Sequence, residues 1–281
     1  SKFKANISDD FTITLPGRKL FDILRSLGNT DIELSSENET AILKTEKSKF
    51  SLQQLPANEF PLFDSAEGEQ TFTIKQKDLS DIFNKTQFAM AQQDVRFYLN
   101  GLLLEISTET LNVVGTDGHR LAKTTSTLDK KNISEQSCIV PRKAIQELTK
   151  SLSESKECKV SLVDNQASFS YSQVTLTTKL IDGTFPDYNR VIPAETTTNI
   201  MLDSKVLKPA LQRVSILANE KFRGVRIDID NNKITISSEN PEQEQAVEDI
   251  DIDETSVKLS IGFNVSYLID AVNACSGELV T

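Results

Sequence analysis

The sequence predicts an α+β protein made of repeated half-domains, each an amphipathic helix followed by antiparallel strands. Three observations predict it. Five short apolar runs end at Leu15, Ile74, Val140, Leu202 and Ile261, spaced 59, 66, 62 and 59 residues apart. Three positions after each run stand Arg18, Lys77, Lys143, Lys205 and Asn264, and five positions after stand Leu20, Leu79, Ile145, Leu207 and Ser266. Between the helical stretches, apolar and polar residues alternate with period two, the signature of half-buried strands. A repeat sets the architecture before any single residue is read, and two copies of about 60 residues make a domain of ordinary size.

Taken in order, the first helix is expected at 16–27, after a Pro16 that suits a first turn. Strands follow at 31–36, 40–45 and 50–52, the first two joined by the turn Glu37-Asn38-Glu39. The second helix (75–90) precedes strands at 102–106 and 110–114, then a turn built on Gly115 and Gly118 and a further strand. The third helix (140–153) opens at Pro141 and leads to strands at 160–162, 168–171 and 174–179, with a turn at Asp164-Asn165. The fourth helix (203–219) has Asp203 and Ser204 as capping candidates, and Pro209 inside it is expected to kink or restart it. Strands at 225–229 and 233–237 meet at Asn231-Asn232, and the fifth helix spans 262–275. The acidic tract Glu239 to Glu254 reads as a solvated loop and edge strand rather than a binding tail.

Polar stretches at 64–70 and 194–198 mark boundaries, giving domains 1–68, 69–196 and 197–281. The chain opens at Ser1 inside strand-like sequence and stops at 278–281 as a strand begins. A fragment lacking a first half-domain and a C-terminal tail is expected. No stretch reaches membrane-spanning length and no signal peptide is present. Cys138, Cys158 and Cys275 are odd in number and lack metal spacing, so reduced thiols in a cytoplasmic protein are expected.

The formal net charge is −10, which alone argues against a nucleic-acid partner. Its distribution argues the other way. The five helical stretches hold twelve Lys or Arg against six acids, a local +6 that leaves −16 for the remainder. An acidic body with basic helices repels DNA broadly and attracts it along one face. The cations expected to face DNA are Arg18, Arg25, Lys77, Lys85, Lys143, Lys150, Lys205 and Arg213. Few aromatics lie among them, so phosphate contact without base readout is the expectation. Solvated helix faces used only for solubility remain the competing reading.

Chemistry-bearing motifs are sparse. His119, the one histidine, lies in Gly115-Thr-Asp-Gly-His-Arg-Leu121 beside Asp117. Neither a nucleophile with an orienting base nor a metal-ligand set accompanies it, so no catalytic residue and no metal site are expected. No phosphate loop or dinucleotide fingerprint is present, and no cofactor is expected. The stiff segment Phe185-Pro-Asp-Tyr-Asn-Arg-Val-Ile-Pro193 has two readings. It is either an inter-domain connector clamped by Phe185 and Tyr188, or the wall of a groove in which Arg190 and Val191 receive a short peptide.

Several of these strings form a recognisable set. Gly115-Thr-Asp-Gly-His-Arg-Leu-Ala122, Ile139-Val-Pro-Arg-Lys143, Asp182-Gly-Thr-Phe-Pro-Asp-Tyr188, Asn219-Glu-Lys-Phe-Arg-Gly-Val225, Asn240-Pro-Glu-Gln-Glu244 and Ile261-Gly-Phe-Asn-Val-Ser-Tyr267 resemble the bacterial sliding-clamp family, the β subunit of DNA polymerase III, nearly end to end. The resemblance implies the ring-forming DNA-clamp fold: two head-to-tail subunits of three similar domains, with helices lining a central hole. It implies a non-catalytic processivity factor that encircles duplex DNA without sequence preference. Implied partners are the polymerase III α subunit, the clamp loader, other polymerases and repair proteins with clamp-binding motifs, and a second copy forming a homodimer. By matching position, a peptide-binding pocket would include Tyr98, Leu99, Thr116, Gly118, His119, Arg120, Leu121, Pro186, Arg190 and Val191. The subunit interface would pair Lys19, Phe50 and Leu52 of one subunit with Ile216 and Leu217 of the other.

Retention on DNA would then be topological, with weak, salt-sensitive phosphate contacts that permit sliding. Two other classes stay open at this point: a peptide-binding scaffold with no DNA role, and an enzyme using His119.

Overall fold

A computed structural model describes residues 5–60, 70–128, 134–153, 156–163, 165–196, 198–253, 255 and 257–281. The chain parts into two compact units, Ser1–Ala66 and Glu67–Thr281. Most of the boundary expected at 64–70 lies outside the described residues, as do Asp164 of the 164–165 turn, residue 197 of the second boundary and Glu254 at the end of the acidic tract.

The first unit holds α1 (Gly17–Leu27) and a three-stranded antiparallel sheet, β1 (Glu33–Glu37), β2 (Thr40–Lys44) and β3 (Lys49–Gln53). Strand β2 is central and buries Ala41, Ile42 and Leu43, while β3 is an edge. The apolar run ending at Leu15 forms no strand among the described residues. Only Thr14 pairs, as an isolated bridge to Leu55.

In the second unit, β4 (Gln70–Lys75) leads into α2 (Gln76–Thr86), then β5 (Gly101–Ile106), β6 (Thr110–Thr116), β7 (Leu121–Thr127) and β8 (Gln136–Pro141). Next come α3 (Arg142–Ser151), β9 (Glu157–Val163), β10 (Gln166–Tyr171) and β11 (Val174–Lys179). Two four-stranded antiparallel sheets result, ordered β7-β6-β5-β8 and β11-β10-β9-β4. Helices α2 and α3 bury Leu79, Ile82, Phe83, Ala144, Ile145 and Leu148 against Leu102, Leu104, Val160, Phe169 and their neighbours in one continuous core. Gln76, fully buried at the head of α2, is satisfied by the Glu157 carbonyl and by the backbone N–H and hydroxyl of Ser153.

The last part repeats the scheme with β12 (Leu202–Asp203), α4 (Ser204–Val214), β13 (Gly224–Asp230), β14 (Lys233–Glu239), β15 (Gln245–Asp251), β16 (Leu259–Asn264), α5 (Val265–Ala274) and β17 (Leu279–Val280). Its sheet runs β15-β14-β13-β16, and β12 pairs with β17. The acidic tract is an edge strand, β15, as expected.

All five expected helices form, and several local expectations change. Pro16 and Pro141 sit one residue before the first helical residue, as N-caps. Pro209 does not restart α4, which continues through Val214. It lies in the second turn, where one backbone hydrogen bond is lost, and the C-terminal half of the helix is anchored by buried Ala210, Leu211 and Val214. The fifth run does not stop at Ile261, because Gly262 pairs with Arg226 and Phe263 with Val225, so β16 continues to Asn264. Relative to the offset in the other four copies, helix α5 therefore starts two residues late, at Val265. The position four residues into that helix falls on Leu268 rather than Ser266, which restores the apolar contact seen in the other copies.

Gly115 belongs to β6 rather than to the turn, where the backbone runs against the end of α2. A Cβ there would lie 2.8 Å from the Thr86 carbonyl oxygen and 2.9 Å from Leu102 Cδ2. Gly115→Ala is expected to cost about 2 kcal/mol, read from the chemical-denaturation midpoint at unchanged slope. A midpoint within error of wild type would mean that this approach is not tight.

All three cysteines are free. Burial pushes the Cys138 and Cys158 thiols up to about 12, while Cys275 is exposed. A thiol reagent at neutral pH is expected to modify Cys275 in native protein and the other two only after unfolding, as followed by mass spectrometry.

Candidate functional site: a peptide groove and a set of basic helices

The loop between β6 and β7 is tied up by its own side chains. The Asp117 carboxylate accepts the backbone N–H of His119 at 2.9 Å and of Arg120 at 3.0 Å. Thr116 Oγ1 accepts the Gly118 N–H at 3.1 Å and donates to the Arg120 carbonyl at 2.7 Å. Gly118 has φ of +89°, a conformation that favours glycine. Polar backbone groups are thus satisfied locally, and His119 is left exposed at the tip.

A second loop docks on the first. Arg96 donates to both carboxylate oxygens of Asp94, at 3.0 and 2.8 Å, and to the Asp117 carbonyl at 3.2 Å. These bonds hold the Asp94 carboxyl down at about 2, well below its ordinary value. Arg96 escaped the sequence reading. An Asp-x-Arg spacing was visible, but the Asp117 carbonyl it reaches lies 21 residues away.

Of the ten expected pocket residues, Thr116, Gly118, His119, Arg120 and Leu121 share the first loop. Tyr98 and Leu121 pack with Phe185 around Leu103, Val114, Ile139 and Tyr188, which brings the stiff segment against the same sheet face. Tyr188 donates its hydroxyl to the Glu105 carboxylate, and burial followed by that bond pushes its pKa up to about 12. Phe185 and Tyr188 therefore clamp the segment, as the connector reading requires. Pro186, Arg190 and Val191 stay exposed on its outer side, Val191 at 68%.

Leu99 is the exception, at 2% exposure: it belongs to the core and offers no surface to a ligand. The remaining residues do not line one cavity. His119 and Arg120 open onto a space of about 300 Å³ with Phe88, Gln92, Asp94 and Arg142. Pro186 borders another of about 450 Å³ beneath the connector, floored by Leu103, Ile139 and Tyr188.

The basic helices carry their cations at both ends. Arg18, Lys77, Lys143 and Lys205 each occupy the second residue of α1 to α4, and Arg25, Lys85, Lys150 and Arg213 lie in the last turns. The two on each helix are seven or eight residues apart, which places them two turns, or about 11 Å, apart along the axis. The register of α5 puts Ser266 where the others have a cation. Lys150 pairs with Glu147, Lys205 with Glu278 and Arg213 with Glu248. The Arg213 pair is a two-bond fork onto β15, at 2.6 and 2.9 Å, so a phosphate at this position would compete with Glu248.

For the expected subunit contact, Lys19 is exposed on α1, and Phe50 and Leu52 lie on the edge strand β3, Leu52 at 8% exposure. Ile216, 76% exposed, and half-buried Leu217 follow α4 in a single 3₁₀ turn. Among the described residues, no helix is long and apolar enough to cross a membrane. Among the described residues, no cluster of three or more His, Cys, Asp or Glu could hold a metal ion.

Comparisons with known proteins fit this layout. Models of the DNA polymerase III beta subunit match three times in order: the N-terminal domain at residues 1–64, the central domain at 73–187 and the C-terminal domain at 189–281. The beta sliding clamp of Pseudomonas putida is 42% identical over 271 residues, spanning 95% of this chain and 74% of that protein. The crystal structure of the DNA polymerase III subunit beta from Pseudomonas aeruginosa superposes with a TM-score of 0.93 at 40% identity, covering 98% of this chain and 76% of that one. A sliding clamp from the same species, crystallised bound to griselimycin, matches with a TM-score of 0.89 at 42% identity over 95% of this chain and 73% of that one. Repeat, helices and strand order agree with that assignment along the whole sequence, and the chain belongs to the DNA polymerase III β-subunit family, the bacterial sliding clamps.

Proposed function

We propose that the chain works as a processivity factor: two subunits close head to tail around duplex DNA and tether the polymerase III α subunit through a peptide groove. As a β subunit it is a non-catalytic component of the polymerase. The observation that carries the DNA part is the recurrence of a cation at the second helical residue and another in the last turn of four equivalent helices, within a chain of net charge −10. Uniform attraction is absent, so affinity for a linear duplex is weak and residence comes from closure of the ring. The domains divide at 68 and 196. Phe50 and Leu52 on the edge strand β3 meet Ile216 and Leu217 of the neighbouring subunit. The clamp loader, and other polymerases and repair proteins with clamp-binding motifs, use the same groove as the α subunit.

The groove combines Tyr98, Leu121, Pro186 and Val191 as apolar surface with Gly118, His119 and Arg190 at its rim. A locally satisfied loop and a connector fixed by Phe185 and Tyr188 form a preorganised receiver, which limits the ordering cost of capturing a flexible peptide. Griselimycin, with which the P. aeruginosa relative was crystallised, is a small molecule with which to test ligand binding at this surface.

The decisive experiment uses the subunit at the length of its relatives, loaded by its clamp loader onto nicked circular DNA. Retention through a high-salt wash, with release on cutting the circle, is expected; loss in the wash would leave ordinary electrostatic binding and a scaffold role. Lys77→Glu with Lys143→Glu is expected to reduce the salt dependence of direct duplex binding by about 0.9 log units per contact removed, with griselimycin affinity unchanged. An unaltered salt slope would reduce those lysines to solubility devices. For the groove, Val191→Asp is expected to weaken both griselimycin and α-subunit binding about tenfold by surface plasmon resonance. Val247→Asp, a control at an exposed residue of β15, should leave both intact. Equal effects from the two variants would refute the assignment.

A further inference from the structure

Arg120 is the best-connected side chain in the groove region, and none of its bonds leads into the groove. Its Nε donates to Asp117 Oδ2 at 3.1 Å within the loop. One terminal nitrogen donates to the Asp270 carboxylate on α5, and the other to the Phe88 carbonyl at 2.7 Å after α2. The guanidinium plane also lies over the Tyr267 ring of α5, 4.3 Å from its centroid, and 5.3 Å from that of Phe88. Its side chain is 20% exposed. Three elements far apart in sequence thus share one planar cation: the loop lies in the second repeat, whereas α5 belongs to the fifth.

We propose that Arg120 is a positioning residue that fixes the 116–121 loop by anchoring it to α5, so the shape of the groove depends on a helix that contributes none of the groove residues named above. Asp117 and Thr116 fold the loop onto itself but do not orient it relative to α5. Arg120 alone of the loop's side chains has bonds that reach that helix among the described residues. Lysine could not substitute, because a single ammonium lacks the fork and the flat face that meet Asp117, Asp270 and two rings together.

The test is hydrogen-exchange mass spectrometry on the full chain, with no ligand present. Asp270→Asn keeps the shape of the α5 partner and removes its charge, and no atom of the loop is altered. Amides of residues 117–120 are expected to exchange about fivefold faster in this variant, with β10 and β11 unchanged. Arg120→Lys should produce the same change, and adding Asp270→Asn to it should produce no more. Faster exchange confined to α5, or fully additive effects of the two substitutions, would overturn the proposal.

The consequence for binding rests on the groove reading above. Where wild-type protein binds griselimycin, Asp270→Asn is expected to weaken that affinity about fivefold, although Asp270 lies outside the groove. An unchanged affinity would show that the anchor does not govern the groove. If wild type fails to bind, the groove reading falls, and the exchange experiment still decides the anchor.

Discussion

Every functional feature of this chain depends on one packing constraint: a short helix laid across an antiparallel sheet, with neither able to keep its shape alone. Helices of 10 or 11 residues are marginal in water, and a sheet with one bare apolar face is no better. In α2, α3 and α4 the contact consists of two or three fully buried aliphatic or aromatic side chains per helix. Once that stripe is committed to the sheet, the opposite stripe must face solvent. Cations at the second residue and in the last turn then point away from the core by geometry alone.

The same constraint governs the surface proposed as a peptide groove. Its loop is the β6–β7 connection, and its connector crosses the outer face of the sheet whose inner face carries α2 and α3. One sheet serves both, with Leu102 and Leu104 turned to the helices and Leu103 to the connector. A ligand surface built on such a support starts out rigid, which suits capture of partners that arrive unfolded.

Much of this was legible in the sequence because periodicity reports burial directly. The helices, most strands, the edge strand in the acidic tract and the capping by Asp203 followed from local pattern, and the Asp203 carboxylate accepts the Lys205 N–H at 2.7 Å. The features that escaped were decided elsewhere in the chain. The extension of β16 through Gly262 depends on pairing with β13, some 36 residues earlier. The run at Leu15 has the composition of a strand but pairs at one point only. Arg213 carried the right spacing for a phosphate contact, and only the packing of β15 beneath α4 reveals Glu248 as its partner. Asp270 and Tyr267 gave no local sign of their meeting with Arg120. Neither shares an element with it, and ordinary helix-surface residues look the same.

The cations at the second helical residue have a cost that their recurrence conceals. The first turn of a helix presents unpaired N–H groups and the positive end of the macrodipole, where an acid is favoured and a cation is penalised by about 0.3–1 kcal/mol. Arg18 and Lys143 occupy that turn with no acid in it, Lys77 has Asp78 beside it, and Lys205 is already offset by the Asp203 cap and by Glu278. Helices α1 and α3 are therefore frustrated at their N-termini, and an external anion sitting there would relieve the repulsion. A variant library selected for heat resistance alone would drift toward Asp and Glu at Arg18 and Lys143. It would converge on a tougher protein whose helix faces had lost their affinity for a polyanion.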